Sequence, residues 1–508
     1  MSILDWIDVG LLSAERDPHL TDYFYDNGTL SAVISNPNAF LVLGRKGAGK
    51  TALFSYLTKN PSEFLSPSDF ITSLSMDDYS WNVHALLEQS KTAESLAFRL
   101  SWKFLLLVEV TRVCSAQMKN PGKAIIKANR LLEKVFGSPI PSTFELVGKK
   151  LLSLSKIVLP KGGAELDEGS MDTLKLEGGE VAFEEFQTSS DLRSKLTNNI
   201  EGLTNYIEEA LLSEIPFTER VFIVFDRIDE AWDKTSAETS RKVITGLISA
   251  ADTISQKFQG SVRPIVFIRE DIFETLPLND KNKLREDCGK LLKWDRENLV
   301  KMILKRINYF AELAKQPTIS DPDLLFDKEE MRQRSRPFTY ILKRTMMRPR
   351  DLICFFTKLI DTMKDEIADP FAEKIPVFEK LSTESIYQAE VQYSEWLVAE
   401  IREEWEVQHE MINLLLETIQ NLGSTNLDPN NYMTALSKRL LDLDKSNFTD
   451  HLRFLFLNSI IGFKIGASTT WRFKCVYNTQ GFVESPEYHI HDGLTRALNL
   501  KEPRESSA

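Results

Sequence analysis

Residues 39–58, Ala-Phe-Leu-Val-Leu-Gly-Arg-Lys-Gly-Ala-Gly-Lys-Thr-Ala-Leu-Phe-Ser-Tyr-Leu-Thr, constrain the fold of this chain more than any other stretch. Phe40 to Leu43 form a short apolar run that reads as a buried strand. Gly44, Gly49, Lys50 and Thr51 fit the pattern G-x-x-x-x-G-K-[ST]. From Thr51 the pattern turns helical, with Leu53, Phe54 and Leu57 on one face before Asn60-Pro61 ends it. Strand, small-residue turn and helix start, in that order, make a phosphate cradle. Successive N–H groups turn inward, and the helix presents its positive end. Gly44, Arg45, Lys46, Gly47, Ala48, Gly49, Lys50, Thr51 and Ala52 are the expected nucleotide-binding set. Lys50 is expected to reach the β- and γ-phosphates as a point charge, and the Thr51 hydroxyl to ligate Mg²⁺, so the implied ligands are ATP and Mg²⁺.

Two later strands complete the pattern. Arg220-Val-Phe-Ile-Val-Phe-Asp226 is an apolar run with a carboxylate at its C-terminal tip, where open α/β sheets bind ligands. Asp226 is placed to hold Mg²⁺ opposite Lys50 and Thr51. Asp229 and Glu230, on the loop beyond, are positioned to orient an attacking water. Strand Ile265–Ile268 delivers Arg269 to the same sheet edge, either to stabilise the γ-phosphate or to pair with Asp226, Glu230 or Glu270. Arg348-Pro-Arg350-Asp-Leu opens a helix, and Pro349 suits its first turn, which points Arg350 outward at a helix start.

At 508 residues the chain is expected to hold several domains: a lead-in (1–38), a nucleotide core (39–294) with a helical insert at about 83–215, a helical lid and connector (295–422), and a terminal domain (423–508). Asp69 to Met76 reads as the second strand, and Thr383 to Leu422 as one long amphipathic segment. Between residues 161 and 186, eight acids face only Lys161 and Lys175, which reads as a solvated surface excursion, with a regulatory or partner-contacting insert as the alternative. A net charge of −12 confines any nucleic-acid contact to a local patch. Cys114, Cys288, Cys354 and Cys475 show no metal spacing and read as buried thiols of a cytoplasmic protein. The most apolar helical stretch, Leu96 to Val113, is broken by Arg99, Lys103 and Glu109, so no membrane span is expected.

In the last domain, Tyr432 to Leu441 and Asp450 to Leu457 read as helices. Ile460–Ile465 and Thr470–Tyr477 then alternate like a hairpin across Gly466-Ala-Ser468. That order is the order of a winged helix. Seven cations (Lys438, Arg439, Lys445, Arg453, Lys464, Arg472 and Lys474) face three acids between residues 430 and 480. Lys464, Arg472 and Lys474 lie on the expected wing beside Trp471. Such a patch is suited to phosphates, with Trp471 stacking on a base; a merely solvated basic face is the alternative.

The loop, the carboxylate-tipped strand and the polar-tipped strand after it resemble the additional-strand branch of P-loop ATPases, which includes AAA+ and STAND proteins. Leu43-Gly-Arg-Lys-Gly-Ala-Gly-Lys-Thr-Ala, Phe225-Asp-Arg-Ile-Asp-Glu-Ala-Trp and Arg348-Pro-Arg-Asp-Leu are similar to a sparsely characterised bacterial group linked to DNA metabolism or phage defence. The resemblance implies an α/β fold: a P-loop NTPase parallel sheet with helical insert, helical lid and C-terminal winged-helix domain. By that likeness Arg269 takes the first sensor position and Arg350 the second, in the lid. Many AAA+ proteins carry Glu directly after the Mg-coordinating Asp, whereas Arg227 stands there in this chain. Asp229 and Glu230 match instead the acidic pair of NACHT-type STAND proteins, which fits a slow switch. The expected function is an ATPase or ATP-gated switch in an oligomer or beside a partner protein, with DNA a candidate partner of the wing. The competing expectation is a nucleotide-bound scaffold that rarely turns over.

Overall fold

The computed structural model describes residues 2–75, 94–141, 146, 151–158, 175–176, 189–217, 219–230, 237–332, 334–368, 377–406, 408–440, 443–466 and 468–501. The acid-rich segment at 161–186 lies almost wholly outside them. Two compact units divide the chain: Gly28–Arg45 with Lys50–Leu292, and Met1–Asn27 with Lys46–Gly49 and Lys293–Ala508. The division falls inside the phosphate loop.

The first unit is built on five parallel strands: β1 (Leu41–Gly44), β2 (Phe70–Ser75), β3 (Val221–Asp226), β4 (Val262–Arg269) and β5 (Gly289–Leu291). Their spatial order is β2-β3-β4-β1-β5, so β4 stands between the phosphate-loop strand and the carboxylate-tipped strand. This is a P-loop NTPase fold. Every residue of β1, β3 and β4 is buried, as expected of parallel strands covered on both faces, and this is why they read as unbroken apolar runs. Register sets the strand tips. Gly44 lies opposite Arg269, and Ser75 opposite Asp226, so all four end at one edge of the sheet.

Helices α1 (Thr29–Ser35), α2 (Lys50–Lys59), α3 (Glu94–Gln117), α4 (Lys123–Phe136), α5 (Ser190–Leu212), α6 (Ala237–Lys257), α7 (Glu270–Thr275) and α8 (Lys281–Cys288) belong to this unit. α3 and α6 pack so closely that a Cβ on Gly246 would come 2.6 Å from the Phe98 Cβ. The Trp102 indole crosses the same contact to donate to the Val243 carbonyl at 3.0 Å. Arg263, buried in β4, donates to the carbonyls of Ile34 (2.6 Å), Val33 (2.8 Å), Asn36 (2.6 Å) and Ala39 (3.2 Å). It thereby satisfies the C-terminal carbonyls that α1 leaves without helical partners. Burial pushes its pKa down to about 10.

The second unit contains α9 (Arg296–Leu313), α10 (Pro337–Arg344), α11 (Pro349–Ala368), α12 (Ser385–Trp405), α13 (Ile412–Leu422), α14 (Pro429–Ser437) and α15 (Lys445–Leu457). Residues before Gly28 pack on α9. The Arg306 guanidinium lies 4.5 Å from the centre of the Tyr23 ring and donates to the Val9 carbonyl, and Tyr25 donates to Asn298. The single amphipathic segment expected over 383–422 is two helices, α12 and α13, because a matching apolar stripe on both hides the break between them.

Strands β6 (Asn426–Leu427), β7 (Ile461–Phe463) and β8 (Tyr488–Ile490) form an antiparallel sheet in the order β6-β8-β7. Helix, strand, two helices and two strands follow one another from α13 to β8, which is winged-helix topology. The strand partner differs from the expected one. Thr470–Tyr477 contributes only a single bridge, Phe463 to Arg472, and then turns at Phe473, whose carbonyl accepts from Val476 and Tyr477. The alternating pattern is a pattern of residue types only, and it does not name the partner strand.

Candidate functional site

Lys50 opens α2 at the sheet edge. Its ammonium donates to the carbonyls of Gly44 (3.1 Å) and Arg45 (3.2 Å). Burial holds its pKa below the usual lysine value; Asp229, Asp226 and Asp271 oppose that shift, and Arg269 adds to it. Asp226 is 2% exposed. Burial pushes its carboxyl up to about 6, with Asp229 adding to the rise, while a hydrogen bond with the Thr51 side chain and the charge of Lys50 pull against it. Asp226 Oδ2 is buried and has no hydrogen-bond partner among the described residues. An orphaned buried carboxylate oxygen next to a threonine hydroxyl is a donor set that suits a hard divalent cation. Asp229 lies in the short turn of helix Ile228–Glu230, near enough to act on both Lys50 and Asp226. The backbone of Glu230 closes that turn; its side chain lies outside what the structure describes.

Arg269, at the tip of β4, donates twice to Asp271, from Nε at 3.1 Å and from Nη2 at 2.8 Å. Asp271 had no place among the sequence candidates, although it stands two residues from Arg269 and also acts on Lys50.

The middle of the phosphate loop, Lys46–Gly49, makes its contacts within the second unit. The Lys46 carbonyl accepts from Arg348 Nη1 at 3.1 Å, the Gly47 carbonyl from the Arg350 N–H at 3.4 Å, and the Ala48 carbonyl from Trp294 Nε1 at 2.8 Å. Gly47 has a φ of +77°, which favours glycine, and a Cβ there would crowd the Arg350 Cβ at 3.2 Å. The Lys46 ammonium pairs with Glu400 at 3.3 Å and Glu403 at 3.1 Å, and Arg350 pairs with Glu400 at 2.7 Å. Burial would raise the Glu400 pKa, but Arg350 and Lys46 hold it below the usual value. Arg348 is buried, with Nε on both oxygens of Asp351 and Glu404 beyond. Those two carboxylates outweigh burial and raise its pKa. Among the described residues, the N–H groups of Gly47, Ala48 and Gly49 meet no acceptor. Trp294 and Arg348 are the loop-contacting residues that sequence reasoning missed. The motif Arg348-Pro-Arg350 did flag the region, but with Arg350 as its reporter.

On the wing, cations that had been expected to face phosphate have partners within the domain. Lys464 lies over the Trp471 ring at 4.0 Å, Arg472 donates to Gln480 at 3.2 Å, and Lys474 donates to the Asn478 and Gln480 carbonyls. Trp471 stacks on His489, with ring centres 5.1 Å apart. No helix among the described residues is long and apolar enough to cross a membrane.

Residues 297–402, which run from α9 through most of α12, match the domain family described as the FunZ-associated C-terminal helical domain. The chain is similar to a putative transposon gamma-delta 80.3 kDa protein of Escherichia coli K12, with 25% identity over 354 residues. That alignment covers 68% of this chain and 45% of the relative, so the chain spans about half of the relative's length. Its coordinates are also similar to the crystal structure of Cdc6p from Pyrobaculum aerophilum, at a TM-score of 0.30 and 9% identity, covering 95% of this chain and 93% of that one.

Proposed function

We propose that this protein is a Mg-dependent ATPase or ATP-gated switch. In this reading residues 39–294 hold the nucleotide, 295–422 serve as lid and connector, and 423–508 carry the response to a partner. The observation that carries it is the run of three unpaired N–H groups at Gly47, Ala48 and Gly49, leading directly into Lys50, Thr51 and the α2 start. Lys50 would neutralise the β- and γ-phosphates. Thr51 and Asp226 would hold Mg²⁺, which supplies charge neutralisation of the phosphate oxygens when bound. Asp229 and Glu230 would orient water, Arg269 would meet the γ-phosphate, and Arg350 would report it to the lid. The likeness to a putative transposon protein is in keeping with a DNA-linked process, and the anti-phage placement rests on the motif resemblance alone. A second reading, a slow or non-hydrolysing scaffold that regulates a partner protein without touching DNA, is favoured by specific contacts. Arg269 is engaged by Asp271, and Arg350 by Glu400.

The test is thermal unfolding with Mg-ATP for wild type and Lys50→Ala, together with phosphate release with and without DNA. Nucleotide at about a hundred times its dissociation constant should stabilise wild type by roughly 2.7 kcal/mol and leave Lys50→Ala unshifted. Equal shifts would overturn the nucleotide reading. Tight binding with negligible release would select the scaffold.

A further inference from the structure

In a trans peptide the C=O of one residue and the N–H of the next point in opposite directions. Whatever holds a loop's carbonyls on one side therefore aims the following N–H groups to the other. Arg348 holds the Lys46 carbonyl, which turns the Gly47 N–H away from it. Trp294 holds the Ala48 carbonyl, which does the same for the Gly49 N–H. Both holders are rigid. The Trp294 indole is 7% exposed, and Arg348 is fixed by the Asp351 carboxylate at 3.0–3.1 Å. Glycine loops are otherwise conformationally free, and ordering them on binding carries an entropic cost that a preset loop avoids.

We infer that Trp294 and Arg348 are positioning residues for the phosphate chain: they aim the Gly47 and Gly49 N–H groups by gripping the carbonyls on the far side of the same peptide planes. They touch no phosphate themselves. The inference rests on the nucleotide reading above and deepens it, because it makes the cradle's shape depend on residues about 250 and 300 positions away in sequence.

The test uses the full chain and two probes, ADP and inorganic pyrophosphate, the second having a phosphate chain but no base. Trp294→Phe keeps an aromatic ring and removes the donor. It should weaken both probes by the same factor, about fivefold, which is the size of one buried hydrogen bond. Arg348→Lys, which keeps the charge but loses the fork, should weaken both in the same way. A loss confined to ADP would place the indole at the base and overturn the inference. So would unchanged affinities accompanied by a lower ligand-free unfolding midpoint, since that is a purely structural role. If wild type bound neither probe and matched Lys50→Ala, the nucleotide reading itself would fail, and this inference with it. That failure is distinct from one in which wild type binds and Trp294→Phe binds equally well.

Discussion

Both the phosphate loop and the wing carry residue types that meet phosphate, yet they are built in opposite ways. In the loop the carbonyls are occupied and three successive N–H groups are left over. In the wing the cations themselves are occupied: Lys464 by a tryptophan face, Arg472 by Gln480, and Lys474 by two carbonyls. A donor with a protein partner must give that partner up on binding, whereas a donor without one exchanges only water. Counting charges ranks residues 430–480, wing included, as a phosphate surface, with seven cations against three acids. Counting unpaired donors ranks the loop far above it.

The comparison is broken most severely at the catalytic edge. Glu230→Gln should lower turnover by about 10² to 10⁴ while leaving nucleotide affinity unchanged, because it removes a base and no metal ligand. Undiminished turnover, measured by phosphate release at saturating ATP, would shift that role to Asp229. Next in size is the support of the loop. Arg348→Met leaves Asp351 and Glu404 without their buried cation and should destabilise the protein by about 3–5 kcal/mol in denaturant unfolding. A loss under about 1 kcal/mol would mean that Arg348 is not the buried cation that Asp351 and Glu404 depend on.

A third effect sharpens the contrast from the wing side. Burial lowers the His491 pKa to about 4, against about 6.5 in the unfolded chain. The folded value is depressed, so its contribution is full above pH 6.5 and is lost as pH falls toward 4. One proton over that interval amounts to about 3 kcal/mol. His491→Asn, which keeps an acceptor for the Gly493 N–H, should flatten the stability profile between those values. An unaltered profile would assign the acid sensitivity elsewhere. The smallest effect belongs to the wing cations. Lys464→Ala/Arg472→Ala/Lys474→Ala should change the salt slope of duplex or single-stranded DNA binding by less than one, whereas three engaged phosphate contacts would change it by roughly three.

The sheet and its edge were legible because their signals are local. A loop motif, two apolar runs and their polar tips each sit within ten residues, and parallel burial keeps those runs unbroken. The wing's topology was legible too, from the order of its helices and strands, but not its pairing. Thr470–Tyr477 alternates as a strand would, yet its backbone turns, with the Cys475 N–H satisfied by Ser459. The grip on the loop left only a partial local signal: Arg348-Pro-Arg350 marks its region, and nothing marks Trp294. Trp294 lies beyond β5, which ends at Leu291, and Arg348 is the residue before a helix-starting proline. Only the folded chain brings either to a carbonyl of the loop.

The central claim is that the N–H groups of Gly47, Ala48 and Gly49 stand ready for a phosphate chain. Amide hydrogen exchange in peptides covering residues 44–52, followed with and without Mg-ATP, tests it most directly. The account predicts fast exchange of these amides in the free protein and strong protection on adding nucleotide, with that protection lost in Lys50→Ala. Exchange over 44–52 that stayed unchanged, while Mg-ATP protected some other part of the chain, would contradict it.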